Sequence, residues 1–165
     1  MTRFRWRIES PEAMAALGDA FGRHVRGGEV FRLHGNLGAG KTQWVKGLGQ
    51  GLGVPEVINS PSFALIKPHQ GRLALHHVDF YRLTNPRECE DLALEDLIAP
   101  DAVMAIEWAE RDPNFHGWDA IDLSFEFGEE DHVRHVAIEC RVLSHDNLTH
   151  EVIEEAGFIQ GVTAL

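Results

Sequence analysis

Apolar residues along this chain recur with two different periods, and each change of period marks a new predicted element. Phe4 to Ile8 alternates apolar residues with arginines and predicts a first strand. Ser10-Pro11-Glu12 then reads as a helix start, with Ser10 as N-cap and Pro11 at the first helical position. Met14, Leu17, Phe21 and Val25 form one helical face, which Gly27-Gly28 terminate. Val30 to His34 predicts a second strand. Trp44, Val45, Leu48 and Leu52 predict a second helix, broken by Gly51, Gly53 and Pro55. A loop runs through Asn59-Ser60-Pro61-Ser62-Phe63, and Arg72 to Val78 predicts a buried strand ending at Asp79. Asn85-Pro86 with Glu88 opens a further predicted helix reaching about Leu97.

Ala102-Val103-Met104-Ala105-Ile106 is wholly apolar, as a strand buried on both faces should be, and it ends at Glu107. Ile121, Leu123, Phe125 and Phe127 alternate with Asp122, Ser124 and Glu126. A polar turn at 128–131 joins them to a strand around Val136, Ile138 and Cys140, so the pair predicts a hairpin. A tail helix is predicted at about 147–156. Repeats, low-complexity stretches and linkers are lacking, so residues 1–165 read as one domain. Strands alternating with helices predict an α/β fold with a mainly parallel sheet and a C-terminal antiparallel hairpin.

Charge narrows the list of partners. Acidic residues exceed basic ones to give a net charge of −11, so bulk electrostatics would not hold this chain on nucleic acid. Arg3, Arg5 and Arg7 form a local basic cluster that reads better as a solvated strand face. Two cysteines, Cys89 and Cys140, give neither a disulfide framework nor zinc spacing, which fits a reducing cytoplasm. No apolar stretch has the form of a signal peptide or a membrane span. The ten histidines do not make a metal site, because His76-His77 and the pair His132/His135 would point to opposite faces of strands.

The chemistry concentrates where the second strand ends. Gly35-Asn36-Leu37-Gly38-Ala39-Gly40-Lys41-Thr42 follows G-x-x-x-x-G-K-T, the phosphate-binding P-loop pattern, between a predicted strand and a predicted helix. Its glycines let backbone N–H groups close around phosphate oxygens, and the helix presents its positive end to the anion. Lys41 can reach the β- and γ-phosphates, and the Thr42 hydroxyl can ligand a bridging Mg²⁺. This completes the predicted fold as a three-layer P-loop NTPase-like one. Such folds place ligands at the carboxyl ends of strands, and three predicted strands end in the P-loop, Asp79 and Glu107. Glu107 is the better candidate for the acid serving Mg²⁺. Asp79 reads either as functional or as the partner of Arg82. Ser60-Pro61-Ser62 reads as a plain turn or as a switch that senses phosphate or metal. Trp108 either packs beneath the site or lies beside the nucleotide.

Leu37 to Thr42, Ser60-Pro61-Ser62-Phe63, His77-Val78-Asp79-Phe80-Tyr81-Arg82-Leu83 and Ile106-Glu107-Trp108 together resemble the TsaE (formerly YjeE) family, over most of the chain up to Cys140. The resemblance implies an ATP- and Mg²⁺-binding ATPase that acts with TsaB and TsaD. Those proteins install the threonylcarbamoyl group on adenosine 37 of tRNAs decoding ANN codons. It further implies that hydrolysis supports turnover of that complex; turnover by the lone chain is expected to be slow, because Asp79 and Glu107 are the only obvious candidates for a catalytic base in the sequence. Lys41 and the loop backbone would bind phosphates, Thr42 and Glu107 would hold Mg²⁺, Asp79 would lie beside the γ-phosphate, and Ser60 with Ser62 would form the switch-like loop. The chain departs from the family at Asn36, Ser62 and Ala109, where an acid, a threonine and a proline are usual. It is expected to be a cytoplasmic monomer that meets tRNA only through the complex. The alternatives are a nucleotide-dependent interaction module without essential hydrolysis and a P-loop small-molecule kinase. The kinase ranks last for want of an Arg-rich lid.

Overall fold

The computed structural model describes residues 1–61, 65–85, 87–111, 118–142 and 145–165. Among these, eight strands form one sheet: β1 (Thr2–Ile8), β2 (Val30–His34), β3 (Ile66–Gln70), β4 (Ala74–Asp79), β5 (Ala102–Glu107), β6 (Ile121–Phe127), β7 (Arg134–Cys140) and β8 (Val162–Ala164). The helices are α1 (Pro11–His24), α2 (Lys41–Gly51), a single turn α3 (Arg87–Asp91) and α4 (Asp146–Ala156). Helix α1 starts as its sequence predicts: the Ser10 hydroxyl oxygen accepts from the Ala13 amide at 3.0 Å.

The sheet order is β3-β4-β5-β2-β6-β7-β1-β8. Only β4/β5, β5/β2 and β2/β6 are parallel, whereas β3/β4, β6/β7, β7/β1 and β1/β8 are antiparallel. The sheet is therefore mixed, and the mainly parallel expectation is corrected. The short connections β3–β4 (71–73) and β6–β7 (128–133) cannot make the crossover that parallel pairing needs. The strands β1 and β8 then extend the antiparallel half. The parallel strands sit together around β2, and this is where the P-loop emerges.

Helices α1, α2 and α4 all lie over one face, sharing a large apolar core with inward residues of the sheet. Trp6, Phe21, Phe31, Trp44 and Phe125 run through it with edge-on ring contacts, centroids 5.2–6.5 Å apart. Among the described residues, the opposite face is covered over β4, β5 and β2 by a smaller cluster of Val78, Phe80, Met104 and Ile106 with Leu94. The described outer layers are thus unequal. Across the antiparallel half, the three arginines of β1 pair with Glu139, Glu126 and Glu129, which makes that surface the solvated strand face expected of them.

The helix expected to reach Leu97 is interrupted. Ala93 takes a left-handed conformation, φ 45°, and separates α3 from a short 3-10 turn at Leu94–Leu97. Strand β3 is additional, and its Pro68 confines it to the sheet edge, where a missing N–H is tolerated. His132 lies in the turn rather than in a strand. No helix among the described residues is long and apolar enough to cross a membrane.

Candidate functional site

Where β2 ends at His34, the chain must turn sharply into α2, and three glycines at positive φ carry the turn: Gly35 (148°), Gly38 (81°) and Gly40 (111°). A Cβ on Gly35 would stand 2.5 Å from the Phe125 carbonyl oxygen, so packing as well as conformation excludes a side chain there. Helix α2 begins at Lys41 with neither a side-chain cap nor an acid in its first turn, so its amides are left for an anion. Lys41 is buried. Its ammonium donates to the carbonyls of Gly35 and Asn36, the latter at 3.1 Å, and lies 4.1 Å from the centre of the Trp108 ring. Burial pulls its pKa below the usual lysine value, against the attraction of Glu107, Glu110 and Asp79.

The acids arrive by sheet register. Parallel pairing sets Asp79 opposite Glu107 at the carboxyl ends of β4 and β5, and β5 lies next to β2. Glu107 is only 2% exposed. Its Oε1 accepts from the Thr42 hydroxyl at 2.9 Å, and its Oε2 lies 2.5 Å from His77 Nε2. Ser60 Oγ lies 3.2 Å from Thr42 Oγ1 and 3.4 Å from Asp79 Oδ2. The other Asp79 oxygen accepts from the Tyr81 amide at 2.9 Å. Burial raises the Asp79 carboxyl above the ordinary aspartate range, with the Tyr81 N–H opposing it. A cavity of about 320 Å³ opens between these oxygens and the P-loop. Hydroxyl and carboxylate oxygens beside an amide cradle suit a hard divalent cation shared with phosphate. Among the described residues no group of three or more His, Cys, Asp or Glu side chains forms a self-sufficient metal cage.

The model of the family described as "Threonylcarbamoyl adenosine biosynthesis protein TsaE" matches residues 8–136. The chain belongs to the TsaE family. It is 39% identical over 110 residues to the tRNA threonylcarbamoyladenosine biosynthesis protein TsaE of Bacillus subtilis, covering 66% of this chain and 68% of that one. The Treponema pallidum TsaE is 42% identical over 102 residues, covering 62% and 76%. For the Nostoc TsaE the identity is 44% over 112 residues, covering 64% and 68%. In structure the chain is similar to YdiB from Bacillus subtilis, TM-score 0.77 at 26% identity, covering 93% of this chain and 96% of that one.

Within this TsaE-family chain the predicted residues divide by what their atoms do. Leu37, Gly38, Gly40, Lys41, Thr42, Ser60, Asp79 and Glu107 all line the one cavity. Gly35 and Asn36 contribute the carbonyls that hold Lys41, and Ala39 is buried in the core. Leu37 stands 68% exposed at the loop tip. Ser62 lies outside the described residues. Residue reasoning left three participants out: His77 behind Glu107, the Tyr81 amide beneath Asp79, and Arg111, whose guanidinium donates to the Tyr81 carbonyl and sits 5.3 Å from both the Tyr81 and Trp108 rings. That His77 shares a strand face with Asp79 was legible from their i, i+2 spacing, but its pairing with Glu107 was not. The other two depend on loop paths that no periodicity encodes. Trp108, at φ 58°, sets its ring against Lys41 while also packing on the smaller apolar cluster, so it packs beneath the site.

Proposed function

We propose that this chain binds Mg²⁺-ATP and hydrolyses it as the TsaE component of threonylcarbamoyladenosine formation at adenosine 37 of tRNAs decoding ANN codons. In this reading it works with TsaB and TsaD and meets tRNA through that complex. The observation that supports it best is the cavity itself: Lys41 and Thr42 of a P-loop face Glu107 and Asp79 across a space lined, among the described residues, by no other acid. Family membership supports the pathway, since relatives are named for it.

The residues divide the work. Backbone amides from Gly38 to Thr42 bind the phosphates, and Lys41 leaves its loop carbonyls to neutralise the β- and γ-oxygens. Thr42 and Glu107 hold Mg²⁺, which supplies charge neutralisation at the phosphates. Asp79, raised in pKa and fixed by the Tyr81 amide, orients the attacking water and takes its proton at Oδ2. Ser60 links Thr42 to Asp79, so its segment responds to whatever occupies the cavity. Because Lys41 starts bound to its own loop and against Trp108, turnover by the lone chain is slow.

The test is phosphate release from Mg²⁺-ATP by the purified chain, alone and then with TsaB, TsaD and tRNA. Partners are expected to stimulate release at least about 10-fold, and Asp79→Asn to lower the stimulated rate by roughly 10²–10³ while leaving ATP binding in place. Equal, negligible rates with and without partners would favour a nucleotide-bridged module. Fast release by the lone chain would instead count against activation by the partners.

A further inference from the structure

His77 is completely buried, and one side of its ring is committed: Nε2 stands 2.5 Å from Glu107 Oε2. Its other nitrogen, Nδ1, is buried with no hydrogen-bond partner among the described residues. A buried orphan nitrogen is tolerable when it is the bare acceptor of the ring, which assigns the proton to Nε2 and makes His77 the donor to Glu107. Strand geometry enforces the pairing. His77 and Asp79 alternate onto one face of β4, and the Asp79–Glu107 register brings Glu107 onto that face beside them. Glu107 is therefore gripped at both oxygens, by His77 at Oε2 and by Thr42 at Oε1.

We propose that His77 is a positioning residue: its Nε2–H fixes the Glu107 carboxylate so that Oε1 stays turned toward Thr42, presetting the hydroxyl–carboxylate pair that takes the divalent cation. This rests on the Mg²⁺-ATP reading above. Without that grip a buried carboxylate is free to rotate, and the cation has to order it on binding. Asp79 on the same face needs no such support, because the Tyr81 amide and Ser60 already hold it.

The experiment measures ATP affinity of the full chain by calorimetry, once with excess Mg²⁺ and once in EDTA, and takes the ratio as the metal enhancement. Three variants are compared with the natural protein. His77→Leu removes the donor, His77→Asn keeps polarity but is too short to reach, and His77→Gln places an amide N–H where Nε2 was. His77→Leu and His77→Asn are expected to lose about 10-fold of the enhancement, with ATP affinity in EDTA within about 2-fold of natural. His77→Gln is expected to retain most of it. If His77→Leu fails to fold, the Asn/Gln pair carries the test. An undiminished enhancement in His77→Asn overturns the proposal. So does an equal weakening with and without Mg²⁺, or a His77→Gln as poor as His77→Asn. A natural chain that binds ATP no better with Mg²⁺ than in EDTA, or does not bind it, defeats the Mg²⁺-ATP reading itself, which is distinguishable because the variants are then never the discriminating measurement.

Discussion

Single side chains in this protein often act through what they hold rather than through what they touch. His34, the last residue of β2, lies 2.7 Å from Asp122 Oδ1 through Nε2 and 3.6 Å from Glu110 through Nδ1, while Arg32 grips Asp122 at 2.6 Å. Hydrogen bonds to Asp122 and then Glu110 push its pKa up to about 9, against the effect of burial. Burial by itself would raise Glu110 and Asp122, but their bonds to His34 hold both below the ordinary carboxylate range. A folded-state pKa above the unfolded one stabilises most at low pH. The contribution of His34 is thus fully present below about 6.5 and lost as pH rises through about 9. Thermal denaturation of His34→Gln against the natural chain from pH 6 to 10 should show two curves that converge at the alkaline end. A gap that widens with pH would refute the assignment. At the phosphate site, Lys41→Ala should weaken ATP binding at least about 10-fold with little change in melting temperature, since among the described residues the hydrogen bonds of the ammonium go to carbonyls of its own loop.

Elements meet here through glycine. A Cβ on Gly47 of α2 would stand 1.9 Å from the Ala15 carbonyl oxygen of α1, and one on Gly18 would stand 2.1 Å from the Trp44 oxygen. The two backbones are in contact, so what reads as a weak, glycine-rich helix is an interface requirement. Gly47→Ala gains helix propensity yet should lose about 1–3 kcal/mol in urea denaturation, because the helices must separate. Ser10→Ala, which removes only the α1 cap, should lose about 1 kcal/mol. A stabilised Gly47→Ala would mean that the helices have room to shift. The same scale explains which elements could be read in advance. Helix α1 announces itself by its cap and its apolar face, and β5 by an unbroken apolar run. Strand β3 carries a proline and alternating polar residues, so only its pairing with β4 makes it a strand. The interruption at Ala93 depends on a backbone conformation that alanine gives no reason to expect.

For the molecule as a whole, the antiparallel half acts as a buttress for the parallel half. The C-terminal segment closes it: α4 buries Leu148, Val152 and Ala156 against the core that α1 and α2 share, Glu155 pairs with Arg23 and with His24 Nε2 at 2.5 Å, and β8 covers the edge of β1. Truncation after Cys140 should therefore yield a protein that aggregates or melts at markedly lower temperature, even though the family match ends at 136 and the cavity lies elsewhere. An equally stable truncated chain would show that the tail is dispensable to the fold.

The sequence by itself determined the P-loop, the strand ends at Asp79 and Glu107, and the hairpin, because each follows from local rules: glycine conformation, helix polarity and the period of apolar residues. Only the tertiary structure decided that the sheet is mixed, that Glu107 Oε1 accepts from Thr42 while Ser60 links Thr42 to Asp79, and that His77 stands behind Glu107. Those facts depend on strand order and register, set by which faces bury together across tens of residues, and no window along the chain contains them.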